Sequence, residues 1–274
     1  MRLRVLLPIL LAAGCSKEPA NLPPFDFAAY GDCRHNEKVH REIVGHLVRT
    51  HPKFVLVTGD LVDHPDQPEN WQTFRDIAKD LRAQSDYLCA VGDHDWEKSG
   101  DAFLKEFKLE KWYFDRRIGD VHVFVLDSRA FFKDAPQVEW LEKTAAASTA
   151  VHKFAVFHHP PFIVDSEAKH VAQAEGIRPQ IHPLLVKLKF CAAFCGHQHG
   201  FYSTARDGVR YVVTAGGGAP LWNIDPSLGK PGDVARKFFH FLGFTVAGKR
   251  IEARVFAKDG TEAEDLRFTL CEHP

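Results

Sequence analysis

Hydrophobic and polar positions follow two periods along this chain. Short apolar runs over 25–30, 54–57, 87–91, 121–126, 154–157 and 190–195 contain few polar residues. They predict strands buried on both faces, the habit of parallel sheets. Between them, apolar positions recur every three to four residues. Val39, Ile43, Leu47 and Val48 share one face of a predicted helix over 37–49, and further helices are predicted over 71–81, 138–147 and 181–188. The segments 162–180 and 215–236 read as long loops, the second rich in Gly and Pro. Beyond residue 200 only strands are predicted, over 208–214, 238–246, 250–256 and 266–270. The pattern predicts one layered α/β unit that finishes in antiparallel strands.

The polar residues fall where chemistry is expected. Five strands run directly into Asp or His: Asp32, Asp60, Asp93-His94, His158-His159 and His197-x-His199. A single Gly-Asp after a strand is an ordinary turn. Five such endings are different, because strand ends on one sheet edge converge on the crevice where α/β folds bind ligands. Carboxylates and imidazoles gathered there form a mixed N/O donor set, suited to Zn, Mn or Fe rather than Ca. The chain has no G-x-S-x-G elbow and no H-E-x-x-H helix, so those two hydrolase classes lack support.

Composition changes the picture at three points. With 35 basic and 36 acidic residues the net charge is -1, which excludes a polycation working on nucleic acid. The 16 histidines are the outlier. His152 and His273 are among eight that show no constellation in the sequence. The N-terminus carries Arg2, Arg4, an apolar run from Val5 to Ala13, and Ala12-Ala13-Gly14-Cys15. As a helix that run spans only about 14 Å, too short for a bilayer core of about 30 Å. It resembles a bacterial lipoprotein signal. Residues 1–14 are therefore expected to be a signal peptide, 15–24 a tether and 25–274 the folded domain. A lipid on Cys15 would be the only membrane contact of an exported, periplasmic or cell-surface protein. No C-x-x-C pair exists, and Cys191 and Cys195 read as buried thiols.

In order, the chain carries Gly31-Asp32-Cys33-Arg34, Gly59-Asp60-Leu61-Val62-Asp63, Gly92-Asp93-His94-Asp95, His158-His159-Pro160 and Gly196-His197-Gln198-His199. The series resembles the calcineurin-like metallophosphoesterase superfamily, purple acid phosphatases included, with its ordered D-x-H, G-D-x-x, G-N-H-[DE], His and G-H-x-H motifs. The resemblance implies a four-layer α/β/β/α sandwich of two mixed β-sheets flanked by helices. It implies two divalent or trivalent metal ions (Mn, Fe, Zn or similar) bridged by Asp60. Asp32 and His199 would hold the first ion, and Asp93, His158 and His197 the second. The implied reaction is hydrolysis of a phosphate mono- or diester by metal-activated water. His94 would face the phosphate as donor or leaving-group acid, with Asp95 orienting its other ring nitrogen. His159 would stand behind the ligands, and His40 and His170 lie within reach.

Two departures bear on activity. Arg34 stands where the D-x-H motif has its histidine, and a guanidinium stays protonated and cannot ligate. It is assigned either to grip substrate phosphate or to pair with a nearby acid, while Asp63 and His35 compete for the vacated ligand place. Asp93 replaces the family Asn and adds negative charge beside a phosphate. Both departures feed an alternative, a catalytically weak or inactive binding protein of the same fold.

Overall fold

A computed structural model of the chain describes residues 22–130 and 132–273, so the expected signal peptide lies outside the described residues. The first half runs β1 (Phe27–Tyr30), α1 (Glu37–Thr50), β2 (Phe54–Val57), α2 (Pro68–Gln84), β3 (Asp86–Cys89) and α3 (Asp101–Phe107). There follow β4 (Phe114–Ile118), β5 (Val121–Val125), α4 (Ala135–Ala146), β6 (His152–Val156), α5 (Ala168–Lys187) and β7 (Ala192–Cys195). The chain closes with β8 (Phe201–Arg206), β9 (Val209–Thr214), β10 (Val234–Arg236), β11 (His240–Ala247), β12 (Arg250–Ala257) and β13 (Phe268–Glu272).

Two mixed sheets result, ordered β13-β12-β11-β1-β2-β3 and β10-β8-β9-β7-β6-β5-β4. In the first, β1, β2 and β3 are parallel; in the second, β5, β6, β7 and β9 are. Side-chain alternation stacks the layers. Phe27, Leu56, Phe154 and Phe194 point into the core between the sheets. Their neighbours Tyr30 and Val57 pack under α1 and α2, with Ile43, Leu47 and Phe74. On the far side, Phe157 meets Leu141 of α4 and Ile177 and Ile181 of α5. Both faces of the central strands are thus buried, which is why they read as unbroken apolar runs. The architecture is an α/β fold with two mixed sheets flanked by helices.

Three sequence expectations change. Helix α5 occupies most of the segment expected to be a loop over 162–180, because Pro179 and Pro183 mask its helical period. The two prolines are four apart on the exposed side, while Ala174, Ile177, Ile181 and Leu184 face the core. Apolar burial on one face therefore offsets the backbone hydrogen bonds that proline forfeits. Strands β4, β8 and β10 and helix α3 form where no element was predicted. Cys191 is not a thiol: it bonds Cys271 of β13 across 80 residues and joins the two sheets, whereas Cys33, Cys89 and Cys195 are free and buried. No described helix is long and apolar enough to cross a membrane.

Candidate metal centre

Three carboxylates arrive from one sheet and three imidazoles from the other. Asp32, Asp60 and Asp93 follow β1, β2 and β3; His158 follows β6, and His197 and His199 follow β7. Asp32, Asp60 and His197 turn left-handed, with φ of 53°, 55° and 67°. Non-glycine residues adopt that region at a cost that surrounding structure must offset. The glycines of the motifs make the close approach possible. A Cβ on Gly92 would lie 2.1 Å from Asp60 Oδ1, and one on Gly196 would lie 2.5 Å from Asp32 Oδ2.

Each imidazole is anchored through one ring nitrogen, which leaves the other facing a carboxylate. His158 Nδ1–H donates to Thr58 O at 2.8 Å, and its Nε2 lies 2.8 Å from Asp93 Oδ1 and 3.6 Å from Asp60 Oδ1. His199 Nδ1–H donates to Pro220 O at 2.7 Å, turning Nε2 to within 3.5 Å of Asp32 Oδ1. His197 Nε2–H donates to Gln173 Oε1 at 3.1 Å, and Nδ1 lies 3.2 Å from Asp93 Oδ1. Such second-nitrogen hydrogen bonds fix tautomer and ring direction in metal sites.

The donor atoms form two groups that share His158: Asp32, Asp60 and His158, and Asp93, His158, His159 and His197, each within 4.8 Å. Asp32 Oδ2 is buried and has no hydrogen-bond partner, the condition a cation would relieve. The residues present fit a metal centre. Electrostatics agree. Burial works against charge on His158, but Asp60, Asp93 and Asp32 overcome it and push its pKa well up. Burial likewise opposes ionised Asp93, but His158 and His197 hold its carboxyl below the usual range.

The calcineurin-like phosphoesterase profile matches residues 25–201. The chain belongs to the calcineurin-like phosphoesterase family. It is 32% identical over 114 residues to a soybean (Glycine max) purple acid phosphatase, a match covering 40% of this chain and 24% of that protein. In three dimensions it is similar to a purple acid phosphatase from yellow lupin (Lupinus luteus) seeds, with a TM-score of 0.77 at 17% identity over 89% of this chain and 53% of that one. It is also similar to GAP50, the anchor in the inner membrane complex of Plasmodium, with a TM-score of 0.69 at 11% identity over 90% and 89%. This chain thus spans about half of the lupin chain and about a quarter of the soybean protein.

Several residues of this family member take positions that the sequence did not assign. Asp95 does not orient His94. Its fully buried carboxylate accepts four backbone amides, from Asp60 and Gly92 on Oδ2 and from Leu61 and Val62 on Oδ1. Asp95 therefore ties the Asp60 loop to the Asp93 loop, and burial followed by Asp60 pushes its carboxyl up to about 7. His94 is half-buried, and its backbone amide donates to Asp60 Oδ1 at 3.0 Å. Arg34 pairs with acids: Nε donates to Asp60 Oδ2 at 3.2 Å and Nη1 to Asp63 Oδ1 at 2.9 Å. Asp63 is engaged by Arg34 and stands 3.5 Å from His35 Nδ1, so neither Asp63 nor His35 joins the described donor groups.

His159 pairs through Nδ1 with Ser128 Oγ and brings Nε2 to 3.8 Å from Asp93. His40 is a core residue, stacked on Phe74 beside Tyr30. His170 does reach the site's surroundings. Its ring stacks at 3.9 Å on Trp222, which packs against His197 and His199. Gln173 and Trp222 carried no signal in the sequence, since each acts through a histidine distant in the chain; Ser128 was marked only by the resemblance of Asp127-Ser128-Arg129 to the family.

Proposed function

We propose that this phosphoesterase hydrolyses a phosphate mono- or diester with water activated by a bound metal pair. The observation that carries the reading is the set of three imidazoles, His158 and His199 buried and His197 partly so, each anchored by one nitrogen and presenting the other to a carboxylate. Metal ions held there would acidify a water and withdraw charge from the phosphoryl oxygens. Asp60 belongs to the first donor group, 3.6 Å from the His158 that both groups share, and would bridge the two ions. His94, whose backbone N–H donates to Asp60 Oδ1, would protonate the leaving oxygen. Arg34 supplies a fixed positive charge beside Asp60. We place the protein outside the cytoplasm, tethered by a lipid on Cys15, and expect Cys15→Ser to release it or block its processing; native protein free in the medium would overturn the anchor.

The test compares rates on a nitrophenyl phosphomonoester and its bis-ester after Mn, Zn, Fe or Ni is added to apo-protein, with metal counted per chain. Hydrolysis that rises as the count approaches two supports the reading. A second reading, a binding protein without turnover, is favoured by the Arg34 guanidinium on Asp60 and by the fold shared with a Plasmodium anchor protein. Metal uptake without hydrolysis of either ester would select it.

A further inference from the structure

At the end of the sandwich opposite the candidate centre, a second cluster joins the two sheets. His152 opens β6, Cys191 precedes β7, Cys271 lies in β13, and His273 follows that strand directly. One ring nitrogen each of His152 and His273 and the Cys191 sulfur lie within 4.8 Å of one another, and Cys271 is bonded to Cys191. The imidazole rings are 5.0 Å apart.

Two observations point to a ligand. His152 is fully buried, and its Nε2–H donates to Gly248 O at 2.9 Å, so Nδ1 carries a lone pair; that Nδ1 has no partner. Nε2 of His273 is also buried and unpartnered. A backbone carbonyl on the far nitrogen is how metal-binding imidazoles are held. A surface cavity of about 510 Å³, lined in part by Cys191, Cys271 and His273, gives a way in.

We propose that His152, His273, Cys191 and Cys271 form a Cys2His2 zinc site when the disulfide is reduced, so that the sheets are joined either by the sulfur–sulfur bond or by the ion. A dithiol reductant supplies two electrons and two protons, becoming a disulfide as Cys191 and Cys271 become thiols. Zinc then displaces both thiol protons and takes the two thiolates with His152 Nδ1 and His273 Nε2. Two sulfurs and two imidazoles match the tetrahedral preference of structural zinc. The inference is independent of the phosphoesterase reading.

The test uses cobalt(II) as the probe, added to the full chain before and after anaerobic reduction with a phosphine, which yields the same thiols. Thiolate–cobalt bonds give a near-ultraviolet charge-transfer band, which the N/O donors of the other centre cannot produce. The reduced wild type is expected to show the band and to bind one cobalt more per chain than the oxidised protein, which shows none. Cys191→Ser with Cys271→Ser should abolish it, although Cys33, Cys89 and Cys195 remain. His273→Ala should weaken zinc binding at least the roughly 10–100-fold that loss of an outer-shell partner costs. Absence of the band from the folded, reduced wild type would overturn the proposal. So would a band that survives the double serine variant, or zinc affinity unchanged in His273→Ala.

Discussion

Replacing Asp95 separates two accounts of the motif that contains it. If Asp95 oriented His94, its loss would lower turnover and leave the fold intact. The structure instead gives it four buried amide donors, at 2.8, 2.8, 3.0 and 3.3 Å. Asp95→Ala would leave four buried N–H groups unpaired at about 1–3 kcal/mol each. That total is comparable with the roughly 5–15 kcal/mol that keeps a whole domain folded. Asp95→Asn is the informative variant, because one oxygen retains two amides while the new NH2 faces the other two. Its expected cost is about 2–6 kcal/mol, or a drop in melting temperature of at least about 4 °C for a domain of this size. Because the amides of Asp60 and Gly92 are involved, metal content should fall as well. Urea unfolding with metal analysis reads both effects. An Asp95→Asn protein of native stability and full metal content that had lost only turnover would refute the reasoning.

Asp60→Asn should lower metal content and activity more than any other single ligand change, since Asp60 would bridge the two ions; elemental analysis beside a nitrophenyl assay checks this. His94→Ala should keep its metal and lose about 10²–10⁴-fold in rate on alkyl phosphates, with a smaller loss on nitrophenyl esters that leave unaided. Equal losses on both would assign His94 to phosphate binding rather than proton transfer. His40 titrates near pH 3 because burial, and then Arg41, disfavour its charged form. Stability tied to its neutral ring is complete above about pH 6.5 and is lost as the pH falls toward 3, up to about 4–5 kcal/mol. Denaturation at several pH values should therefore show a shallower acid loss for His40→Leu than for wild type.

The sequence alone determined the class of structure and which strand ends carry the candidate donors. Strands buried on both faces must read as unbroken apolar runs, so an Asp or His directly after such a run marks a strand end. Six candidate donors could be named that way because each depends only on its own strand, and five of them fall in the two described groups, His199 standing beside Asp32 instead. Tertiary structure decided what depends on two distant segments meeting. Asp95 lies one residue from His94, yet its carboxylate finds amides 33 to 35 positions away, because the Asp60 loop turns left-handed against it. Arg34 meets acids 26 and 29 residues on, which no local pattern encodes. The first part of helix α5, over 168–180, escaped notice because proline propensity is local, whereas the apolar face that outweighs it is recognised only against the sheet. Cys191 and Cys271 are 80 residues apart, and only the docking of one sheet on the other brings them together, with His152 and His273 beside them.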